Sequence, residues 1–215
     1  MTPFDKFFKN MTKPWVVVSY ALLMVGLFLY VDACVALFFH RIELGYMQPL
    51  SESVTALGEA RPLIGMLLGA IIGCRYVLHW RQWEMRAWFL ALSVLIPSII
   101  VLGLKILFGR ARPELLFDNG IYGFQWLEFS RPFWSFPSGH TATLMGCMFG
   151  SCVVWPRYRW LFLCTGFLVM SSRVILLQHY ISDVMVSAYL ALIEVWILQW
   201  ALHRYAPKFM KEVEG

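Results

Sequence analysis

Long apolar runs are the feature of this sequence that most constrains its fold. A helix needs about 20 mostly apolar residues to cross a bilayer. Six candidate runs meet or approach that length, at residues 15–39, 62–79, 87–108, 138–155, 160–177 and 184–202. We therefore predict an all-α integral membrane protein with six transmembrane helices. The runs are spread over the whole chain, so residues 1–215 are expected to form a single domain.

The composition excludes several classes of soluble protein. Hydrophobic residues make up 60% of the chain and charged residues 14%, whereas soluble domains are about 45–50% apolar and about 25% charged. A cytosolic enzyme, a disordered tail and a nucleic-acid-binding module are all inconsistent with these values. The net charge of +5 does not indicate nucleic acid, because the basic residues are scattered along the chain. The bilayer is the predicted partner, and no protein partner is implied.

The basic residues predict the orientation of the helices. With the N-terminus inside, eleven of the eighteen Lys and Arg residues fall on the inner side and seven on the outer side. An excess of basic residues is typical of cytoplasmic loops, so both termini are predicted to be cytoplasmic. The first run is longer than a signal-peptide core and is expected to be a retained anchor. The five cysteines lie within predicted spans, which indicates buried thiols rather than disulfides or a zinc site.

Three polar clusters interrupt the apolar sequence near the ends of predicted spans. The first is Lys105 with Arg112-Pro113, and the second is Pro137-Ser138-Gly139-His140. The third contains Ser172-Arg173, His179 and Asp183. Because successive spans cross the membrane in alternating directions, all three clusters are predicted to meet on the outer face. Charged residues beside spans are costly and usually functional or paired.

The chemistry of these clusters favours a bound phosphate. Lys105, Arg112 and Arg173 would repel one another unless an anion lay between them, and Arg in particular matches phosphate oxygens. Ser138 and Gly139 open a predicted helix, whose free N–H groups and positive dipole end favour an anion. Gly139 would allow close backbone approach, and Ser138 can donate its hydroxyl.

His179 and Asp183 are four residues apart and would share a face if that stretch is helical. Asp183 would then accept a hydrogen bond from one ring nitrogen and leave the other as a nucleophile. His140 would be the second proton-transfer group, which protonates the leaving oxygen and later activates water.

These motifs resemble the tripartite signature of the type 2 phosphatidic acid phosphatase superfamily, in its membrane lipid phosphatase branch. The resemblance rests on Lys105-x6-Arg112-Pro113, on residues 137–140, and on Ser172-Arg173-x5-His179-x3-Asp183. It implies a helical membrane enzyme that uses a phosphohistidine, with no metal and no other cofactor. The implied roles are nucleophile for His179, orienting group for Asp183 and acid for His140. The implied phosphate-binding residues are Lys105, Arg112, Ser138, Gly139 and Arg173.

One departure from the family pattern is that Tyr180-Ile181-Ser182 stands where many members have a proline between His and Asp. We expect this difference to touch none of the chemical groups of the site.

The leading hypothesis is hydrolysis of a membrane lipid phosphate, in a bacterial inner membrane with the active site facing the periplasm. Candidate substrates are a polyprenyl diphosphate, phosphatidylglycerophosphate, phosphatidic acid or a lipid A phosphate. Phosphotransfer to another lipid remains open, because the motif does not encode the acceptor. A non-catalytic transporter of anionic lipids is the alternative from a different class, and it would need the cations but not His179 and Asp183.

Four charged residues outside the motifs are harder to interpret. Asp32 and Glu194 lie inside predicted spans, where packing is favoured over function. Arg110 and Arg131 flank the site, and a solvated loop face is favoured over contact with a second phosphate or a headgroup. The aromatic-rich segment 109–137 is either an interfacial belt or a rim for a lipid substrate.

Overall fold

The structure, a computed structural model, describes residues 3–42, 53 and 59–215. Regular structure within these ranges is helical, and extended pairing there is limited to one isolated bridge between Arg110 and Phe124. The all-α prediction is therefore confirmed for the described residues.

The helices follow the predicted apolar runs closely. They are α1 (Pro3–Met11), α2 (Pro14–Gly26), α3 (Asp32–Ile42), α4 (Ala60–Ile72), α5 (Arg81–Phe108), α6 (Pro113–Asn119), α7 (Gly139–Val154), α8 (Arg159–Ile175), α9 (Ile181–Tyr205) and α10 (Pro207–Glu214). A π-helical turn, Leu27–Val31, makes α2 and α3 one continuous rod, and a second one, Gly73–Val77, extends α4. Short 3₁₀ turns lie at Arg131–Phe133 and Pro156–Tyr158.

Four helical segments in the described ranges are long and apolar enough to cross a bilayer. These are Pro14–Ile42, Ala60–Val77, Arg81–Phe108 and Ile181–Tyr205. The other two predicted spans are α7, with 16 residues, and α8, with 17. Such helices are about 24 and 26 Å long, which is short of a hydrocarbon core of about 30 Å. The plan of six spans, and the sidedness of the termini, stay predictions.

Helix α7 is the centre of the bundle. Nearly all of its residues are buried, and it packs along α5, α8 and α9. Two glycines one turn apart, Gly146 and Gly150, allow its backbone to approach Ser93 of α5. A Cβ on Gly146 would overlap the Ser93 carbonyl oxygen, and one on Gly150 would lie 2.8 Å from its Oγ. Small residues at four-residue spacing are typical of close helix packing in membranes.

The two short terminal helices close one end of the bundle. In α1, Phe8 stacks on Trp196 of α9 with 4.1 Å between the ring centroids. Helix α10 packs on α5, where Arg86 Nε donates to the Val213 carbonyl at 3.1 Å. Glu84 is buried at this end and is paired with Arg75 and Arg81. The motif residues lie at the opposite end.

The segment between α5 and α7 folds over that opposite end of the bundle. Its aromatic residues do not all face outward: the rings of Phe108, Phe124 and Phe136 contact one another edge to face. Trp126 and Phe129, in contrast, are exposed. Part of the aromatic segment is thus a small core of its own, which neither of the two sequence-based interpretations included.

The sequence predicts buried thiols at the five cysteines and a packing role for Glu194, because all six residues lie in predicted spans. All five cysteines are free, and the prediction of buried thiols is confirmed for Cys147 and Cys152. It is wrong for Cys34 and Cys164, which lie exposed on the apolar outer surface of the bundle. Glu194 is buried within α9, and its Oε2 has no hydrogen-bond partner among the described residues.

The contact between α5 and α7 predicts a large cost for one added methyl group. Gly146→Ala should lower the free energy of unfolding by about 1–3 kcal/mol, since the new Cβ forces the helices apart. Gly103→Ala is the matched control, because a Cβ at Gly103 of α5 meets nothing within 4 Å. Thermal unfolding of both variants in detergent measures the difference, and equal melting temperatures would contradict the close contact.

Candidate active site

The end of the bundle covered by the aromatic segment encloses a cavity of about 490 Å³. Predicted site residues on its wall are Lys105, Arg112, Gly139, His140, Arg173 and His179. The other two, Ser138 and Asp183, are fully buried and do not line the cavity. The structure therefore brings the three motifs together, while the roles predicted for their residues stay predictions.

Helix ends position most of these groups. Lys105 lies in the last turn of α5, Arg173 in the last turn of α8, and Asp183 in the first turn of α9. Helix α5 stops at Gly109, which has a φ of +53°. A Cβ at Gly109 would also lie 2.8 Å from Cβ of Glu128, so only glycine fits this turn.

Ser138 acts as the N-terminal cap of α7. Its Oγ accepts a hydrogen bond from the Thr141 hydroxyl at 3.1 Å and a longer one from the Thr141 backbone N at 3.5 Å. Its own backbone N donates to Ser187 Oγ at 2.6 Å. The amides of Gly139 and His140 follow in the first turn, where backbone N–H groups have no partner within the helix. The cap thus orients the helix end so that these two residues face an anion site.

Two of the cations on the cavity wall donate to neutral acceptors. Lys105 Nζ donates to the Trp134 carbonyl at 2.6 Å, and Arg112 Nη1 donates to Gln178 Oε1 at 3.2 Å. Burial lowers the pKa of Arg112, although the nearby Glu114 and Asp183 oppose this effect. Lys105, Arg112 and Arg173 share one cavity, so a phosphate bound there would relieve their repulsion.

His179 is held by a backbone carbonyl. Its Nδ1 lies 2.8 Å from the carbonyl oxygen of Ser135. A carbonyl can only accept a hydrogen bond, so Nδ1 carries the proton and Nε2 carries the lone pair. His179 lines the cavity together with the cations. The imidazole is thus in the tautomer that a nucleophile bonding through Nε2 requires.

The charge state of His179 suits the same role. Burial lowers its pKa to about 3, with a smaller contribution from Lys105 and Arg173, although Asp183 acts in the opposite direction. The ring is therefore neutral near pH 7, and its lone pair is available.

Asp183 supports His179 less directly than the spacing suggested. His179 precedes α9, which begins at Ile181, so the two residues do not share a helix face. Asp183 Oδ2 is 3.8 Å from His179 Nδ1. It accepts instead from Ser135 Oγ at 2.6 Å and from the Tyr180 backbone N at 2.9 Å. Asp183 thus holds Ser135, and the Ser135 carbonyl holds the ring.

The burial of Arg110 contradicts the sequence-based expectation of a solvated loop face. Its side chain is fully buried and bridges two carboxylates, those of Asp32 and Asp183. Burial alone would lower the pKa of Arg110, but Asp183 and Asp32 raise it, so the guanidinium stays charged. Asp32 is likewise more than a packing residue, because it receives Arg110 Nη2 at 2.9 Å. Arg131 lies exposed in its 3₁₀ turn, away from the cavity wall.

Sequence reasoning also missed Ser135 and Ser182. The hydroxyl of Ser182 accepts from Arg110 Nη1 at 2.7 Å and donates to Asp32. The expectation that residues 180–182 touch no chemical group of the site is wrong for Tyr180, whose backbone N donates to Asp183 Oδ2 at 2.9 Å. The available signal was weak, since a lone serine near the start of a helix usually indicates a cap or a turn.

Comparisons with known proteins agree with the motifs. The sequence model of the PAP2 superfamily matches residues 86–207, which include all three motifs. A lipid A 1-phosphatase of Rhizobium johnstonii is 33% identical over 96 residues, which are 45% of this chain and 39% of the relative. A lipid A 1-phosphatase of Rhizobium etli is also 33% identical over 96 residues, or 41% of its length. The match thus spans about two fifths of each relative. No solved structure matches the chain.

The cation cluster predicts stabilisation by inorganic phosphate. At a concentration 100 times the Kd, phosphate should stabilise the fold by about 2.7 kcal/mol, visible as a rise in melting temperature. Lys105→Met should reduce that rise, because it removes one of the four basic side chains that line the cavity, which are Arg61, Lys105, Arg112 and Arg173.

The matched control for this experiment is Arg204→Gln, which removes an exposed cation at the opposite end of α9 and should keep the full phosphate effect. An equal loss in both variants would mean that phosphate acts on the net charge of the protein rather than in the cavity.

Proposed function

This chain belongs to the PAP2 superfamily, and from that membership we propose that it is an integral membrane phosphatase that hydrolyses a lipid phosphate through a phosphohistidine. One observation carries the mechanism more than any other. A neutral His179, with its Nδ1 proton donated to Ser135, lines the same cavity as Lys105, Arg112 and Arg173. A site that only binds an anion needs the cations but has no need of a histidine held in one tautomer.

In the proposed reaction, Nε2 of His179 attacks the phosphorus atom and displaces the lipid oxygen. The three cations and the first amides of α7 neutralise the charge on the non-bridging oxygens. His140 donates a proton to the leaving oxygen and then takes one from the water that hydrolyses the phosphohistidine. The N–P bond breaks in this second step, and free phosphate leaves while His179 returns to its neutral form.

A lipid is favoured over a soluble ester as the substrate. The cavity continues along apolar residues of α5, Val101 and Leu102, at a bundle end where Trp126 and Phe129 are exposed. The names of the Rhizobium relatives make a lipid A phosphate the first candidate to test. Polyprenyl diphosphate, phosphatidylglycerophosphate and phosphatidic acid remain in the proposed set. A bacterial inner membrane, with the site facing the periplasm, is the proposed location.

The decisive measurement is phosphate release from a panel of these four lipid classes by purified protein. His179→Gln should lower kcat by at least about a thousandfold, because it removes the nucleophile. His140→Gln should cost about 10²- to 10⁴-fold, as expected for a lost general acid–base group. Activity of the unmodified chain should persist in excess chelator.

His203→Gln is the matched control, since His203 is half-exposed at the other end of the bundle and pairs with Glu214. Unchanged turnover in His179→Gln would overturn the mechanism. Phosphate recovered on an added lipid rather than in water would identify a phosphotransferase, and binding without turnover would favour a transporter.

The proposed orientation is tested by labelling. In a variant without the five native cysteines, a cysteine replacing the exposed Ser130 should react with an impermeant thiol reagent added to spheroplasts. A cysteine replacing the exposed Lys208 of α10 should react only after lysis. The reverse pattern would place the site in the cytoplasm.

A further inference from the structure

The first membrane helix reaches the candidate active site through one buried arginine. Arg110 uses both ends of its guanidinium: Nη1 donates to Asp183 and to Ser182 Oγ, and Nη2 donates to Asp32 at 2.9 Å. Asp32 is the first residue of α3, 78 positions before Arg110 in the chain. The three side chains are wholly buried. They form a bridge from the first span to Asp183.

This bridge is closed on its remaining sides. Aromatic rings of Phe28, Tyr122, Phe124 and Tyr180 surround the Arg110 guanidinium, with ring centroids 4.4–5.6 Å from its central carbon. The Tyr122 hydroxyl accepts from Arg110 Nη2 at 3.2 Å and donates to the Phe28 carbonyl. The Arg110 side chain has no solvent-exposed surface, and its Nε has no hydrogen-bond partner among the described residues. A charge in such surroundings has few alternative positions.

The contacts continue from this bridge to the histidine. Asp183 Oδ1 accepts a hydrogen bond from Arg110 Nη1, and its Oδ2 accepts one from Ser135 Oγ at 2.6 Å. The Ser135 carbonyl then accepts a hydrogen bond from His179 Nδ1 at 2.8 Å. The Ser135 backbone N also donates to the Arg110 carbonyl at 3.0 Å. Ser135 is therefore connected to Arg110 twice, directly through the backbone and indirectly through Asp183. Each residue in this series therefore limits the position of the next.

We propose that Asp32 and Arg110 are positioning residues, which lock Asp183 and Ser135 and thereby hold His179 in its Nδ1-protonated tautomer. The proposal rests on the proposed function for its kinetic consequence, but not for its structural one. Neither residue lines the cavity, so neither contacts the phosphate. The guanidinium shape matters as much as its charge, because only a fork reaches two carboxylates at once.

The alternative explanation is a purely structural ion pair. Breaking a buried pair destabilises a fold whatever its position, so a lower melting temperature alone would not support the proposal. Glu84 provides the matched control, since it is a buried carboxylate that pairs with Arg75 and Arg81 at the opposite end of the bundle. A structural role predicts that Glu84→Gln and Asp32→Asn behave alike.

The kinetic test compares Asp32→Asn and Arg110→Lys with Glu84→Gln. Asp32→Asn should lower kcat about tenfold and leave KM within about twofold, because the site still binds phosphate but its nucleophile is less well aligned. Arg110→Lys keeps the charge but spans only one carboxylate, and kcat should fall about a hundredfold. Glu84→Gln should keep kcat unchanged even where its melting temperature falls. Unchanged kcat in folded Asp32→Asn would overturn the proposal.

The tautomer of His179 gives a readout that does not need turnover. In protein labelled with ¹⁵N in its histidine rings, the His179 signals are assigned by their loss in His179→Gln. The unmodified chain should show a neutral ring protonated at Nδ1, and Asp32→Asn should show both tautomers. A single Nδ1-protonated form in both proteins would overturn the proposal. If the unmodified chain releases phosphate from no lipid, the proposed function fails, and these spectra still decide the positioning role.

Discussion

A single buried guanidinium between two carboxylates organises the polar end of this bundle. Arg110 connects Asp32 of the first span to Asp183 of the last one, within a shell of aromatic rings. An ion pair of this kind contributes little net stability, because desolvation of the charges offsets their attraction. Its effect is geometric, since each group in the ion pair has one low-energy position. Asp183 is thereby fixed, and it fixes in turn the residues that it contacts.

The same type of side chain has the opposite environment a few residues away. Arg110 is compensated by two carboxylates, whereas Arg112 donates to the neutral Gln178 and shares its cavity with Lys105 and Arg173. In the first arrangement the charge of the guanidinium is compensated within the protein, and the second leaves a net positive charge facing an open space. That difference separates a residue that holds the site from residues suited to hold a phosphate.

Close packing in the apolar part of the bundle determines where these groups meet. Gly146 and Gly150 bring the backbone of α7 against Ser93 of α5, and Gly109 then ends α5 at the level where α7 begins. Lys105 and Gly139 are thereby neighbours, with 3.6 Å between Lys105 Cε and the position of a Cβ on Gly139. The helix contact and the anion site are therefore parts of one geometry.

The sequence by itself determined the helical membrane class and the motif residues, because hydrophobic length and rare intramembrane charges are local signals. Helix boundaries followed the apolar runs closely, and Lys105, Arg112, His140, Arg173 and His179 do share one cavity. The tertiary structure alone decided the partners of Arg110, Asp32 and Ser135. The contacts of Asp32 with Arg110 and Ser182, and that of Ser135 with His179, join positions 44–150 residues apart, and no period or spacing encodes such pairs. The tertiary structure also decided that Asp183 acts on His179 through Ser135 rather than by the expected direct contact, because the chain turns before α9 begins.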